Sequence, residues 1–354
     1  LKILILSRYG SLGASSRVRF LQYIPYFESQ GINVTVKPLL SDKYVLALYN
    51  GSSRWCEIIK GYSSRVITLL NIRNYDLVII EKEIFPFMPA IIERLLYLSG
   101  VSYIVDYDDA LFHNYDCHSN SLVKFLLGKK IDSVMRHASI VTAGNNYIAE
   151  RAKLAGAKNI EIIPTVVNTE YYQLKRDDYA EVPIVGWIGT PQTSKYLEPL
   201  LPIFEAIKRD INVRFVAIGA RPEDFEGSVI ETWSWSEESE VSSIQQFSIG
   251  IMPLTDSPWE RGKCGYKLIQ YMACGVAVVA SPVGVNCEIV EPDRTGKLAS
   301  SPGEWEQALR DLLQAGPIVT SKMGNAGRLR VEDWYCLEVQ APRFLSILLR
   351  ACKL

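Results

Sequence analysis

The chain has 354 residues, 48% hydrophobic and 22% charged, with a formal net charge of −1. That length suits two ordinary domains with full cores, and the near-neutral balance excludes a global field drawing in nucleic acid. Seven cysteines at irregular spacing and three histidines (His113, His118, His137) form no disulfide framework, CxxC pair or HExxH arrangement, which predicts a reducing cytoplasm and no metal site.

Lys2–Ser7 reads as a buried strand, too short for a signal peptide or a membrane span. A loop with Gly10 and Gly13, then a helix to about Gln30, opens a Rossmann-like unit that has no GxGxxG fingerprint. Asn33–Lys37 is the second strand. Residues 41–74 set Arg54, Lys60, Arg65 and Arg73 among Trp55, Ile58, Ile59, Val66, Leu69 and Leu70. Two readings fit: an amphipathic helix against a membrane or lipid-linked acceptor, or the favoured one, a surface helix with a solvated basic face. Strands at Asp76–Ile80 and Ser102–Val105 flank a helix over Pro89–Leu98. The cluster DYDDALFHNYD follows, where open α/β sheets bind ligands; its aspartates serve either a ligand or helix capping. A helix over residues 122–139 carries Lys124, Lys129, Lys130 and Arg136, on a face that meets anionic lipid or, more simply, solvent. Strands at Ser139–Gly144 and Ile160–Ile163 flank a helix over Tyr147–Leu154.

The polar run KRDDYAEVP (175–183) reads as an interdomain linker. Strand–loop–helix order then restarts with PIVGWIGTPQTSKYL (183–197). Val213–Gly219 is a strand, ETWSWSEESEV leads into a helix through about Gln246, and Ser248–Pro253 is a strand. Gly265–Cys274 has helical spacing, Gly275 stops it, Val276–Ala280 is an all-apolar strand, and Ser281–Asn286 is a turn. Lys263, Lys267 and Gln270, spaced by four and three, share a helix face near its N-terminus. That pattern suits a phosphate as well as a solvated face, and the turn at Gly284, able to bring backbone close to a ligand, favours the phosphate. Helices run from about Pro302, and an apolar helix closes the chain.

The stretch KLIQYMACGVAVVASPVGVNCEIV resembles the donor-nucleotide motif of family 4 glycosyltransferases (glycosyl transferases group 1), which have the GT-B fold. Helix, strand, turn at Gly284 and Glu288 match. Gly262 and Gln270 stand at the motif's two glutamates, Ala277 at its proline, and Thr190 at an arginine of the loop before Lys195. The resemblance implies an α/β protein with two Rossmann-like domains facing a cleft. Residues 1–168 would form the acceptor side, with the C-terminal helix (about 338–354) crossing back to it, and residues 169–337 the donor side. The implied activity moves a sugar from a UDP- or GDP-linked donor to a glycan, lipid-linked or small-molecule acceptor. Retention of configuration is implied, without metal or cofactor, because lysines and helix N-termini can stabilise the departing diphosphate.

The donor contacts so implied are Gly13, Arg17, Gly189, Thr190, Lys195, Trp235, Lys263, Lys267, Gln270, Gly284, Val285, Asn286 and Glu288. Trp235 either stacks on the base or is a partly buried tryptophan. Lys195, Lys267, Asp108 and Asp109 are the implied catalytic residues. The expected location is the cytoplasm, with a peripheral position on the inner face of its membrane as a variant. Two alternatives stand beside this: a sugar-nucleotide epimerase and a non-catalytic GT-B-like assembly subunit.

Overall fold

In the computed structural model, the structure describes residues 1–49, 52–174 and 181–353. Its first half runs β1 (Lys2–Leu6), α1 (Ala14–Arg19), α2 (Ile24–Ser29), β2 (Asn33–Val36), α3 (Asp42–Tyr49), α4 (Trp55–Leu70), β3 (Leu77–Glu81), α5 (Ile91–Leu98) and β4 (Tyr103–Tyr107). There follow α6 (His113–Asp116), α7 (Ser121–Leu127), α8 (Lys130–His137), β5 (Ile140–Ala143), α9 (Asn146–Ala155) and β6 (Ile160–Ile162). The second half runs β7 (Ile184–Ile188), α10 (Leu201–Asp210), β8 (Arg214–Ile218), β9 (Ile230–Trp233), α11 (Glu240–Ile244), β10 (Ile249–Met252), α12 (Pro258–Arg261) and α13 (Tyr266–Ala273). It ends with β11 (Ala277–Ala280), α14 (Asn286–Ile289), β12 (Gly296–Leu298), α15 (Pro302–Trp334) and α16 (Leu337–Ala351). No helix among the described residues is long and apolar enough to cross a membrane.

Two compact units result. The first is Leu1–Val166 with Arg261–Cys264 and Leu337–Leu354; the second is Val167–Glu260 with Gly265–Cys336. The linker expected over residues 175–183 lies outside the described residues except for its last three.

The first unit holds a parallel sheet in the order β2-β1-β3-β4-β5-β6. Side chains alternate across it, as the strand period of two requires. Ile3 and Ile5 meet Phe20, Tyr23, Phe27 and Phe344 on one face. Leu4 and Leu6 belong to the other core, with Ile131, Val134 and Ile148. Phe344 packs edge-on against Tyr23, with ring centres 5.3 Å apart, so α16 is part of this unit's core. The second unit repeats the plan in the order β12-β11-β10-β7-β8-β9. In both sheets the first strand of the unit has neighbours on both sides, so the chain reverses direction there. Just beyond the carboxyl ends of the strands at that reversal is where open α/β sheets bind ligands.

Two elements differ from the sequence expectation. Ile230–Trp233 is an edge strand rather than a lead-in to a helix, and the helix after it spans only Glu240–Ile244. Beyond Ile230 the strand's residues are only half-buried, so the continuous apolar signature of a central parallel strand is missing. The helix over 122–139 is broken at Gly128–Lys129 into α7 and α8. Lys130 is then not on a lipid-facing or solvated face: it is buried, ion-paired to Glu83, and donates to the Phe85 carbonyl at 2.6 Å. The helices expected from about Pro302 are α15 on either side of a kink at Gly316 (φ 78°), which Pro317 follows.

Candidate active site

The second unit's strands point their carboxyl ends at the features that the sequence singled out. At the reversal between β7 and β10, the chain leaves β7 through Gly189. A Cβ there would fall 2.3 Å from the Trp187 ring and 2.8 Å from Thr193 Oγ1, so only glycine fits. The loop is closed by Thr190 N–H donating to Thr193 Oγ1 at 3.1 Å. Lys195 follows, exposed, with its ammonium 5.4 Å from the centre of the Tyr196 ring. An α-helix start was expected beside Lys195; the chain instead makes a 3-10 helix over Ser194–Leu200. Pro199 lies within that segment, and α10 begins only at Leu201.

The second phosphate-type element is α13, entered through Gly265 in the left-handed region (φ 65°). A Cβ on Gly265 would lie 2.2 Å from Ile289, which is how α13 and α14 approach so closely. Lys267, in the first turn, sets its ammonium over the Trp187 ring at 5.2 Å, at the carboxyl end of β7. Across β11, the turn Ser281–Val285 carries Gly284 at φ 53°, and Val285 caps α14. Asn286 is buried; its Nδ2 donates to the Ser281 carbonyl at 3.0 Å while its Oδ1 has no hydrogen-bond partner among the described residues. Glu288 is exposed and lends its carbonyl to Arg330.

Two residues depart from the expected helix face. Lys263 precedes α13 and belongs, with Arg261–Cys264, to the first unit, where Asn145 Nδ2 holds the Lys263 carbonyl at 3.0 Å. It therefore does not share a helix face with Lys267. Gln270 is buried, and its Nε2 donates to Tyr172 Oη at 2.8 Å and to Glu240 Oε1 at 2.9 Å. Trp235, 40% exposed beyond the end of β9, donates its indole N–H to Glu240 Oε2 at 2.7 Å. Glu240 thus supplies a carboxylate beside Gln270. Gly262 has a steric reason: a Cβ would lie 2.4 Å from Ala110 Cβ and 2.7 Å from its nitrogen, so a glutamate cannot stand there without moving backbone.

The first unit carries a denser charged cluster, also at the carboxyl ends of its strands. Gly13 caps α1 here, a Cβ on it landing 2.2 Å from Tyr9, while Arg17 on that helix reaches the Ser11 carbonyl at 3.4 Å. Arg19, in the same helix, grips Asp106 with two bonds of 2.9 and 2.6 Å. Glu81, closing β3, accepts from Ser16 Oγ (2.6 Å) and the Arg8 N–H (2.7 Å), and burial raises its pKa. Lys82 is a buried lysine in the left-handed region (φ 67°), a conformation that non-glycine residues adopt at a cost. Its ammonium lies 2.8 Å from Asp108 and 3.4 Å from Asp109.

That lysine faces two carboxylates whose pKa values move apart. For Asp108, burial alone would raise the value, but the Lys82 and Arg19 charges prevail and bring it down to about 2. Asp109 is raised, by burial and then by the Asp108 charge. The sequence pointed to both aspartates but not to Lys82, Glu81 or Glu240; the readable signal was the charged run EKE closing an otherwise apolar strand.

Comparisons with known proteins agree with this architecture. Residues 182–315 match the family model Glycosyl transferases group 1. No curated protein matches. Among solved structures, sucrose-phosphate synthase from Thermosynechococcus elongatus superposes with a TM-score of 0.71 at 15% identity, covering 98% of each chain. HepE from Anabaena, solved with UDP, gives 0.70 at 14% identity over 98% of this chain and 99% of that one. A glycosyltransferase from Rickettsia africae gives 0.72 at 14% identity over 99% and 98%. Residues 182–315 thus match the Glycosyl transferases group 1 model, within a chain that has the two-sheet GT-B fold throughout.

Proposed function

We propose that this chain is a glycosyltransferase that moves a sugar from a nucleotide-diphosphate donor bound on its second unit. The observation that carries the reading is Lys267 above Trp187 at the β7–β10 reversal, beside the glycine-dependent Gly189 loop and the Gly284 turn. The family-model match over residues 182–315 and the UDP complex of Anabaena HepE support the donor class. In the step proposed, the anomeric C–O bond to phosphate breaks as the acceptor oxygen bonds that carbon on the same face, retaining configuration. The acceptor proton passes to the departing phosphate, whose growing negative charge is met by Lys267 and Lys195. Asp109 and Asp108 hold sugar hydroxyls on the first unit, and Glu240 with Gln270 and Trp235 faces the nucleoside. Charge neutralisation by lysine makes a divalent ion unnecessary for donor binding. Calorimetry with UDP- and GDP-sugars in EDTA tests this: binding persists, whereas complete loss on chelation contradicts it.

A lipid-linked acceptor is favoured by one surface feature. Trp55, Ile59, Val66 and Leu70 recur at i, i+4, i+11 and i+15 along α4, so they form one stripe, and all are exposed (Trp55 73%, Leu70 80%). Solvated surface helices rarely present such a stripe, whereas helices lying on a membrane do. Arg65, expected among the basic residues of this region, is instead buried, donating to the Ser7 and Lys37 carbonyls. Co-flotation with vesicles containing anionic lipid is expected. Trp55→Ser with Leu70→Ser lowers it about tenfold or more, from the apolar area removed, and unchanged flotation speaks against the membrane face.

A further inference from the structure

The sequence suggested no metal ligands, because no pair of histidines or cysteines has a metal spacing. The folded first unit brings a different set together. His113 and Asp116 stand three residues apart on α6, and Cys117 caps it, so all three project from one turn. One ligand atom from each lies within 4.8 Å of the others. His113 Nδ1 is 2.8 Å from Asp116 Oδ1 and 3.6 Å from Cys117 Sγ. Tetrahedral zinc, with Zn–N about 2.0 Å and Zn–S about 2.3 Å, separates nitrogen and sulfur by about 3.5 Å. The thiol and the imidazole are therefore already at zinc spacing.

The outer atoms of the same residues are held. His113 Nε2 lies 2.8 Å from Tyr147 Oη, which leaves Nδ1 as the atom with a lone pair to give when Nε2 carries the proton. Asp116 Oδ2 accepts from Arg151 Nη1 at 2.9 Å, leaving Oδ1 for the metal. The arginine charge so close to the site is itself offset by Asp132, 2.7 Å from Arg151 Nε. This supporting layer orients a ligand set; an ordinary helix-end hydrogen bond does not require it.

We propose that His113, Asp116 and Cys117 form a three-ligand Zn2+ site, with water in the fourth position because Cys117 is exposed. The thiolate and imidazole select zinc over magnesium or calcium. On binding, Zn2+ replaces the His113–Asp116 hydrogen bond, the His113 Nδ1 proton is lost to solvent while Nε2 carries one towards Tyr147 Oη, and the Cys117 thiol releases its proton to solvent. The ion ties together the segment that follows Asp108 and Asp109. Its ligands are not among the lysine-based donor residues, so its success or failure is separable from metal-free donor binding.

The test is a Zn2+ titration of the EDTA-stripped full chain against a chromogenic competitor, with thermal melting alongside. One equivalent is expected to bind and to raise the melting temperature. Cys117→Ser and His113→Gln each lose this binding, and Tyr147→Phe weakens it about 10–100-fold by freeing the imidazole. Melting in EDTA confirms that the variants fold. No stoichiometric binding, or the same affinity in Cys117→Ser and His113→Gln, overturns the proposal.

Discussion

Lys267→Ala lowers turnover by about 10²–10³-fold, the loss found when one pre-placed donor to a developing anion is removed. The basis is geometric. Lys267 occupies the first turn of α13 and is steered over Trp187, at the carboxyl end of β7, by the ring's attraction for a cation. Donor affinity falls less than turnover, because leaving-group charge is greatest in the transition state. Gln270→Glu is the contrasting variant. Its new carboxylate would lie within 2.9 Å of Glu240 in a buried site, so the main effect is on stability, with a loss of about 1–3 kcal/mol. Melting temperatures and steady-state kinetics measured together separate the two outcomes. Equal loss of stability in both variants, with turnover preserved in Lys267→Ala, contradicts the assignment.

Asp109→Asn is expected to yield a protein that is more stable at neutral pH and about 10–100-fold less active, from one lost charge-assisted hydrogen bond to a sugar hydroxyl. The sign follows from the raised pKa of Asp109, due first to burial and then to Asp108. Raised above its unfolded value, the acid holds its proton more tightly in the native state. Native stability therefore falls as pH rises from the unfolded pKa through the folded one, and the asparagine removes that loss. The gain from Asp109→Asn is absent in strong acid, where the carboxyl is protonated in both states. Asp108 behaves oppositely. Lowered to about 2, it adds stability above its unfolded pKa, and that stability is lost as pH falls towards 2. A pH–rate profile should carry an acid limb above the ordinary aspartate range, and Asp109→Asn should abolish it. A profile unchanged by the substitution contradicts the role.

The fold was legible because parallel strands buried on both faces leave near-continuous apolar runs such as VAVVA, and Gly275 marks the stop between α13 and β11. The edge strand β9 escaped notice because its residues are mostly half-buried and Glu231 and Thr232 interrupt any apolar run. The individual lysines show where sequence reading ends. Lys267 was placed near a phosphate-type site by its spacing together with the neighbouring Gly284 turn. Lys130, equally exposed on a helical wheel, is buried on Glu83, since its partner lies 47 residues away and no local pattern announces it. Lys82 and Glu240 were missed for the same reason: each gains its role from residues brought together only by the sheets. Gly262 and Gln270 read as departures from a motif. In the folded chain each fits its surroundings, one against Ala110 and the other beside a carboxylate from α11.

The most direct test of the account is to incubate the purified chain with individual UDP- and GDP-sugars, with and without glycan and lipid-linked acceptors. Nucleoside diphosphate release and the anomeric configuration of the product are then followed. The account predicts acceptor-dependent release of diphosphate in EDTA, a product that retains the donor's configuration, and loss of both in Lys267→Ala. A folded chain that binds no donor and releases no diphosphate contradicts it, as does one that only interconverts the nucleotide sugar without an acceptor.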